Sequence, residues 1–178
     1  MVRPVRIGVI GCGSVMRDGY MPIAQQLRAE GVAEVVMACD VNASLAATIQ
    51  EQFAIPRFTT DYQEVLVAED VDLVLVLTAP PTHGAIAHTA LRAGKHVLLE
   101  KPMALDLASA ATLVALAEQS PGMLLPAPIS SSAQPINRSV ATACRRHWHS
   151  LFRPWDLWSR GSVVGTVVLS SAWWWSPF

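Results

Sequence analysis

Five short apolar runs, at residues 5–10, 35–39, 73–77, 96–99 and 123–125, set the frame for what this chain can become. Each is continuous rather than alternating, so each predicts a strand buried on both faces, as in a parallel sheet. The stretches between them favour helices. Val5–Ile10 runs into Gly11-Cys12-Gly13, a strand entering a tight turn. A helix to about residue 28 follows, with Gly19 and Pro22 making its first part irregular. Residues 43–53 are rich in helix formers, and Thr60 or Asp61 is placed to cap a short helix through Val67. Thr82 is placed to cap a helix whose Ile86, Ala90 and Leu91 share one face. Asp106 caps a last Ala- and Leu-rich helix to about Glu118. Strands alternating with helices predict an α/β fold, a doubly wound parallel sheet of Rossmann type.

Composition narrows the class. With 178 residues, 52% of them hydrophobic, the chain suits one ordinary domain with an ample core and is not globally disordered. A formal net charge of -1 gives no electrostatic footprint for nucleic acid. Cys12, Cys39 and Cys144 form no disulfide framework, which fits a reducing, cytoplasmic setting. The basic start is followed at once by Gly8, Gly11 and Gly13, unlike a signal peptide. No apolar run reaches the ~20 residues of a membrane span. The average conceals a division, however. Residues 1–120 hold 13 acids and 8 Lys/Arg, whereas residues 121–178 hold five arginines, one acid and all six tryptophans.

In doubly wound sheets, ligands sit at the carboxyl ends of the strands, and the chemistry-bearing residues cluster there. Gly11-Cys12-Gly13 fits either a plain strand–helix turn or a backbone that approaches a pyrophosphate at a helix N-terminus. A full G-x-G-x-x-G would place a small residue at Met16. Asp40 closes the second run, either as a turn residue or as an acceptor for a ribose diol. Glu100-Lys101-Pro102 follows the fourth run. It is either a solvated pair at a turn or a proton-handling carboxylate and ammonium. His83 lies in the first turn of its helix, incidental or touching a ligand. Cys12 and Cys39 lack a paired CxxC, so no metal site is expected.

Taken in order, these segments resemble a known family. Ile7-Gly8-Val9-Ile10-Gly11-Cys12-Gly13, Asp40, Thr78-Ala79-Pro80-Pro81-Thr82-His83 and Ala93-Gly94-Lys95-His96-Val97-Leu98-Leu99-Glu100-Lys101-Pro102-Met103-Ala104 are similar to the amino-terminal half of the Gfo/Idh/MocA oxidoreductases. The resemblance implies NAD, with NADP as an alternative, on the turn formed by Gly11, Gly13, Ser14 and Val15, and the adenosine ribose on Asp40. It places Thr78, Pro80, Pro81 and His83 beside the nicotinamide half, with Glu100 near its ribose. Lys101 then holds a sugar or polyol hydroxyl as the catalytic residue, and Pro102 follows a bond that can be cis. Met16 departs from the family pattern and puts close helix packing at the turn in question.

Residues 1–125 are thus expected to form the dinucleotide-binding domain, and 126–178 an irregular tail where the family begins its substrate domain. Cys144, His147 and His149 make a poor metal set, and the tryptophans lack the period of a membrane or single-strand surface. A shifted reading frame accounts for the tail better. Tryptophan has a single codon, and moving one base onward converts Trp173-Trp174-Trp175 to three glycines. The same shift gives Gly at Trp148, Trp155 and Trp158, in the order and spacing of the family's glycine-containing stretches. The expectation is an oxidoreductase-like, truncated chain that binds dinucleotide but is catalytically incomplete. The rivals are a noncatalytic nucleotide- or partner-binding module and a nonfunctional gene fragment.

Overall fold

The computed structural model describes residues 3–127. The expectations for the tail from residue 128 on, including the shifted frame and the three candidate ligands there, lie outside the described residues. Six strands form one sheet: β1 (Val5–Ile10), β2 (Ala33–Cys39), β3 (Arg57–Thr59), β4 (Leu73–Val76), β5 (His96–Leu99) and β6 (Leu124–Pro126). Every pair is parallel and the order is β3-β2-β1-β4-β5-β6, so the chain reverses direction across the sheet between β1 and β4. This is the doubly wound Rossmann arrangement that the apolar runs predict.

The connections are α1 (Met21–Ala29), α2 (Ala46–Phe53), α3 (Tyr62–Val67), α4 (Pro80–Arg92) and α5 (Leu107–Gln119). Asp61 and Asp106 cap α3 and α5 by accepting from the N–H groups of Gln63 and Ser109. The cap of α4 corrects the sequence expectation. The helix begins at Pro80, with Ala79 before it, and Thr82 lies inside the first turn. Two prolines open a helix without loss because the N–H groups they lack would be unpaired there. β3 adds a strand to the five that the apolar runs predict: Arg57-Phe58-Thr59 pairs with Met37–Cys39 of β2 and holds a single apolar residue.

The core lies where the apolar runs predict. Val9, Val74, Val97 and Leu99 are fully buried in the sheet, and Ile86, Ala90 and Leu91 of α4 pack against it. At the amino ends of the strands, Asp72 accepts from Arg3, from the Arg6 side chain and from the Arg6 N–H. Lys95 donates to the carbonyls of Ala68 (2.7 Å) and Val71 (2.8 Å). These groups fasten the edge opposite the motif residues. The carboxyl edge is left for chemistry.

Candidate dinucleotide site

At the carboxyl edge the ladder runs slightly past the strands and fixes the first residue of each loop. Gly11 N–H donates to the Cys39 carbonyl at 2.8 Å, Leu77 N–H to that of Ile10 at 2.8 Å and Glu100 N–H to that of Val76 at 3.0 Å. Gly11 has φ +100°, and a Cβ there would lie 2.7 Å from the Leu77 carbonyl oxygen and 2.8 Å from Thr78 N. Both conformation and space demand glycine at that position. Gly13 differs: it is exposed, and a Cβ on it would meet no protein atom within 4 Å. Ser14, which precedes the next helical segment, and Val15, which begins it, are exposed as well.

After the turn the chain winds as a π-helix from Val15 to Tyr20 and only then becomes α1. Met16, the departure from the small-residue pattern, belongs to this segment and is fully buried. The irregularity expected around Gly19 takes the form of this π-helix, and Pro22 lies in the first turn of α1.

Asp40 stands at the end of β2, and its carboxylate is fastened onto the glycine turn. One oxygen accepts from Cys12 N–H at 2.8 Å and the other from Asn42 N–H at 2.9 Å. Beneath it, burial first, then the charge of Asp40, pushes the Cys12 thiol up to about 12, and Cys39 is pushed up to about 11 for the same reasons. Both are inert, packed thiols. No group of three or more His, Cys, Asp or Glu arranged for a metal occurs among the described residues.

Thr78, Pro80 and Pro81 follow β4, and Glu100-Lys101-Pro102 follows β5. His83 joins the two loops. It is 1% exposed, with Nδ1 2.8 Å from the Pro102 carbonyl oxygen and Nε2 2.8 Å from that of Thr78. Its ring is therefore engaged with the protein on both sides. The Lys101–Pro102 peptide is cis, and Lys101 itself is exposed. Glu100 Oε2 accepts from Lys101 N–H at 2.7 Å, while Oε1 accepts from the Tyr20 hydroxyl at 3.1 Å. Sequence reasoning missed Tyr20, because nothing in a local pattern signals a contact 80 residues away. Pro80 and Pro81 also line a groove of about 560 Å³ between α4 and the start of α5, with Gly84, His88, Asp106 and Leu113. Gly11, Asp40 and Lys101 are not part of it.

The parallel sheet and its strand order agree with comparison against known proteins. The Gfo/Idh/MocA model, described as an oxidoreductase family with an NAD-binding Rossmann fold, matches residues 5–127. The chain belongs to this family. Inositol 2-dehydrogenase of Acidothermus cellulolyticus is 37% identical to this Gfo/Idh/MocA protein over 112 residues, covering 63% of this chain and 32% of the relative. The dTDP-3,4-didehydro-2,6-dideoxy-alpha-D-glucose 3-reductase of Actinomadura kijaniata is 35% identical over 138 residues, covering 78% and 40%. A solved 3-ketoreductase from Actinomadura kijaniata, in complex with NADP and TDP-benzene, superposes with a TM-score of 0.62 at 35% identity, covering 69% of this chain and 36% of that one. This Gfo/Idh/MocA chain thus spans roughly a third of the length of the curated relatives it matches. Among the described residues no helix is long and apolar enough to cross a membrane.

Proposed function

We propose that the chain binds a nicotinamide dinucleotide, NAD in preference to NADP, and that its chemistry is oxidoreduction of a secondary alcohol on a sugar or cyclitol. The observation that carries this reading is the Asp40 carboxylate bonded to Cys12 N–H, which sets a ribose acceptor directly beside the open Gly13 turn. Gly11, Gly13, Ser14 and Val15 would present backbone N–H groups to the pyrophosphate, and Asp40 would accept from the adenosine ribose. Thr78, Pro80, Pro81 and Glu100 would border the nicotinamide half, with His83 holding the Thr78 and Pro102 loops together beneath it. Lys101 would donate to the substrate hydroxyl and steady charge developing on its oxygen. When bound, the dinucleotide supplies the hydride acceptor or donor.

The preference for NAD rests on charge. Both Asp40 oxygens are held by backbone N–H groups, so the carboxylate cannot turn away from a 2′-phosphate, and Val41-Asn42 supplies no cation. Calorimetry should give NADH at least about tenfold tighter binding than NADPH, a difference of ~1.4 kcal/mol. Asp40→Ala should erase that preference. Tighter NADPH binding, or NADH affinity indifferent to Asp40→Ala, would overturn the reading.

A finer reading is that the 178-residue chain binds dinucleotide without turning over polyols. Positioning a substrate alcohol in a water-free pocket is worth roughly 7–11 kcal/mol of barrier, and Lys101 is exposed. NADH absorbance followed with a panel of inositols and aldoses should stay flat. Turnover that vanishes in Lys101→Ala would show the chain to be catalytically sufficient.

A further inference from the structure

We infer that Tyr20 is a positioning residue for the Glu100-Lys101 pair, its hydroxyl locking the Glu100 carboxylate so that the segment carrying Lys101 is presented in one geometry. The inference rests on the proposed dinucleotide function and extends it to a residue outside the family motifs.

Three observations converge on it. Tyr20 is 7% exposed and ends the π-helical segment after the glycine turn, so its ring is fixed by packing. Its hydroxyl donates across the mouth of the sheet to Glu100 Oε1 at 3.1 Å. The other oxygen of that carboxylate accepts from Lys101 N–H at 2.7 Å, while Glu100 N–H is tied to Val76. Glu100 is thereby held at its main chain and at both carboxylate oxygens. A glutamate side chain without such partners samples many rotamers and must be ordered when a ligand arrives, at a cost to affinity. Here the ordering precedes binding. Burial, followed by the charge and hydrogen bond of Glu100, raises the Tyr20 phenol above the ordinary tyrosine range, which keeps it a donor at neutral pH.

A purely structural hydrogen bond would fasten the π segment to the sheet and affect every ligand alike. A positioning bond affects only the half of the dinucleotide that meets Glu100. Tyr20→Phe separates the two, because it keeps the ring and removes only the hydroxyl. The probes are NADH and ADP; ADP has the adenosine ribose and two phosphates but no nicotinamide half. Titrated into the whole chain, NADH should bind Tyr20→Phe about five- to tenfold more weakly than wild type, within the range for the net contribution of one hydrogen bond. ADP affinity should stay within about twofold. Hydrogen exchange at the Lys101 amide should accelerate several-fold in the variant, while the amides of Val97 and Leu98 in β5 stay protected. Unchanged NADH affinity, equal weakening of NADH and ADP, or an unchanged Lys101 amide would each overturn the inference. Failure of wild type to bind NADH would instead overturn the proposed dinucleotide function. The Lys101 amide, measured without ligand, would still decide whether Tyr20 orders this segment.

Discussion

Gly11 and Gly13 occupy one turn for different physical reasons, and the difference can be measured. Gly11 sits at positive φ with the Leu77 carbonyl where its Cβ would be, so Gly11→Ala should cost at least about 2 kcal/mol in urea unfolding. Gly13 meets neither restriction, so Gly13→Ala should change stability by no more than about 0.5 kcal/mol. If the proposed site is right, that methyl would still obstruct a pyrophosphate, and NADH affinity should fall at least about tenfold. Equal stability losses in the two variants would contradict the geometry. The sequence shows two glycines in a motif and cannot rank them, since the clash at Gly11 comes from the far end of β4, distant along the chain. Asp40 was legible as the residue closing a strand. One of its oxygens is held locally by Asn42 N–H, but that the other is held by Cys12 N–H depends on how the turn after β1 folds over it.

At the scale of elements, the interior strands were legible because burial on both faces leaves an unbroken apolar run, as in Ile7–Ile10 and Leu73–Val76. β3 was not, because Arg57-Phe58-Thr59 holds a single apolar residue, whereas the equally short edge strand β6 carries Leu124-Leu125. The start of α4 differs from the Thr82 cap that the sequence suggests. A capping side chain is the usual signal, whereas Pro80 and Pro81 begin the helix by needing no cap. Lys95 illustrates a third case, a charged residue recruited between elements. It precedes β5, and its ammonium donates to the carbonyls of Ala68 and Val71 between α3 and β4. Its environment, through burial first, pushes its pKa down, so the two hydrogen bonds are made at the expense of hydration. Lys95→Met should keep the packed stem and lose both bonds, lowering stability by about 1.5–3 kcal/mol in chemical denaturation. A variant as stable as wild type would mean that desolvation cancels the bonds.

Across the whole molecule, the perturbed acids and thiols predict the shape of the stability–pH curve. Although burial opposes ionisation of Asp72, hydrogen bonds from Arg3 and Arg6 outweigh it and hold the carboxyl below the usual carboxylate range. A group depressed in the folded state stabilises above its unfolded pKa, here about 3.9, and loses that contribution as pH falls further. The opposite limb belongs to the buried acids of the candidate site. Cys12 is raised to about 12 and Cys39 to about 11, and Tyr20 is raised as well. Groups raised in the folded state stabilise fully below their unfolded values, about 8.5 for the thiols and 10 for the phenol, and the contribution is lost as pH climbs toward the folded ones. Burial pushes the His96 imidazole down, so stability also declines as pH falls below about 6.5. Stability should therefore be highest between about pH 7 and 8 and fall on both sides, each tenfold difference in proton affinity between folded and unfolded chain being worth about 1.4 kcal/mol. The acid limb should flatten in Asp72→Asn, and the alkaline limb in a Cys12→Ala, Cys39→Ala double variant, measured as denaturation midpoints against pH. Because ionisation of these thiols requires opening the strand ends around Asp40, a thiol reagent at pH ~8 should label them only as fast as the chain opens. Rapid labelling of Cys12 in the folded chain, or an alkaline limb indifferent to loss of both thiols, would show that the carboxyl edge is not packed as described.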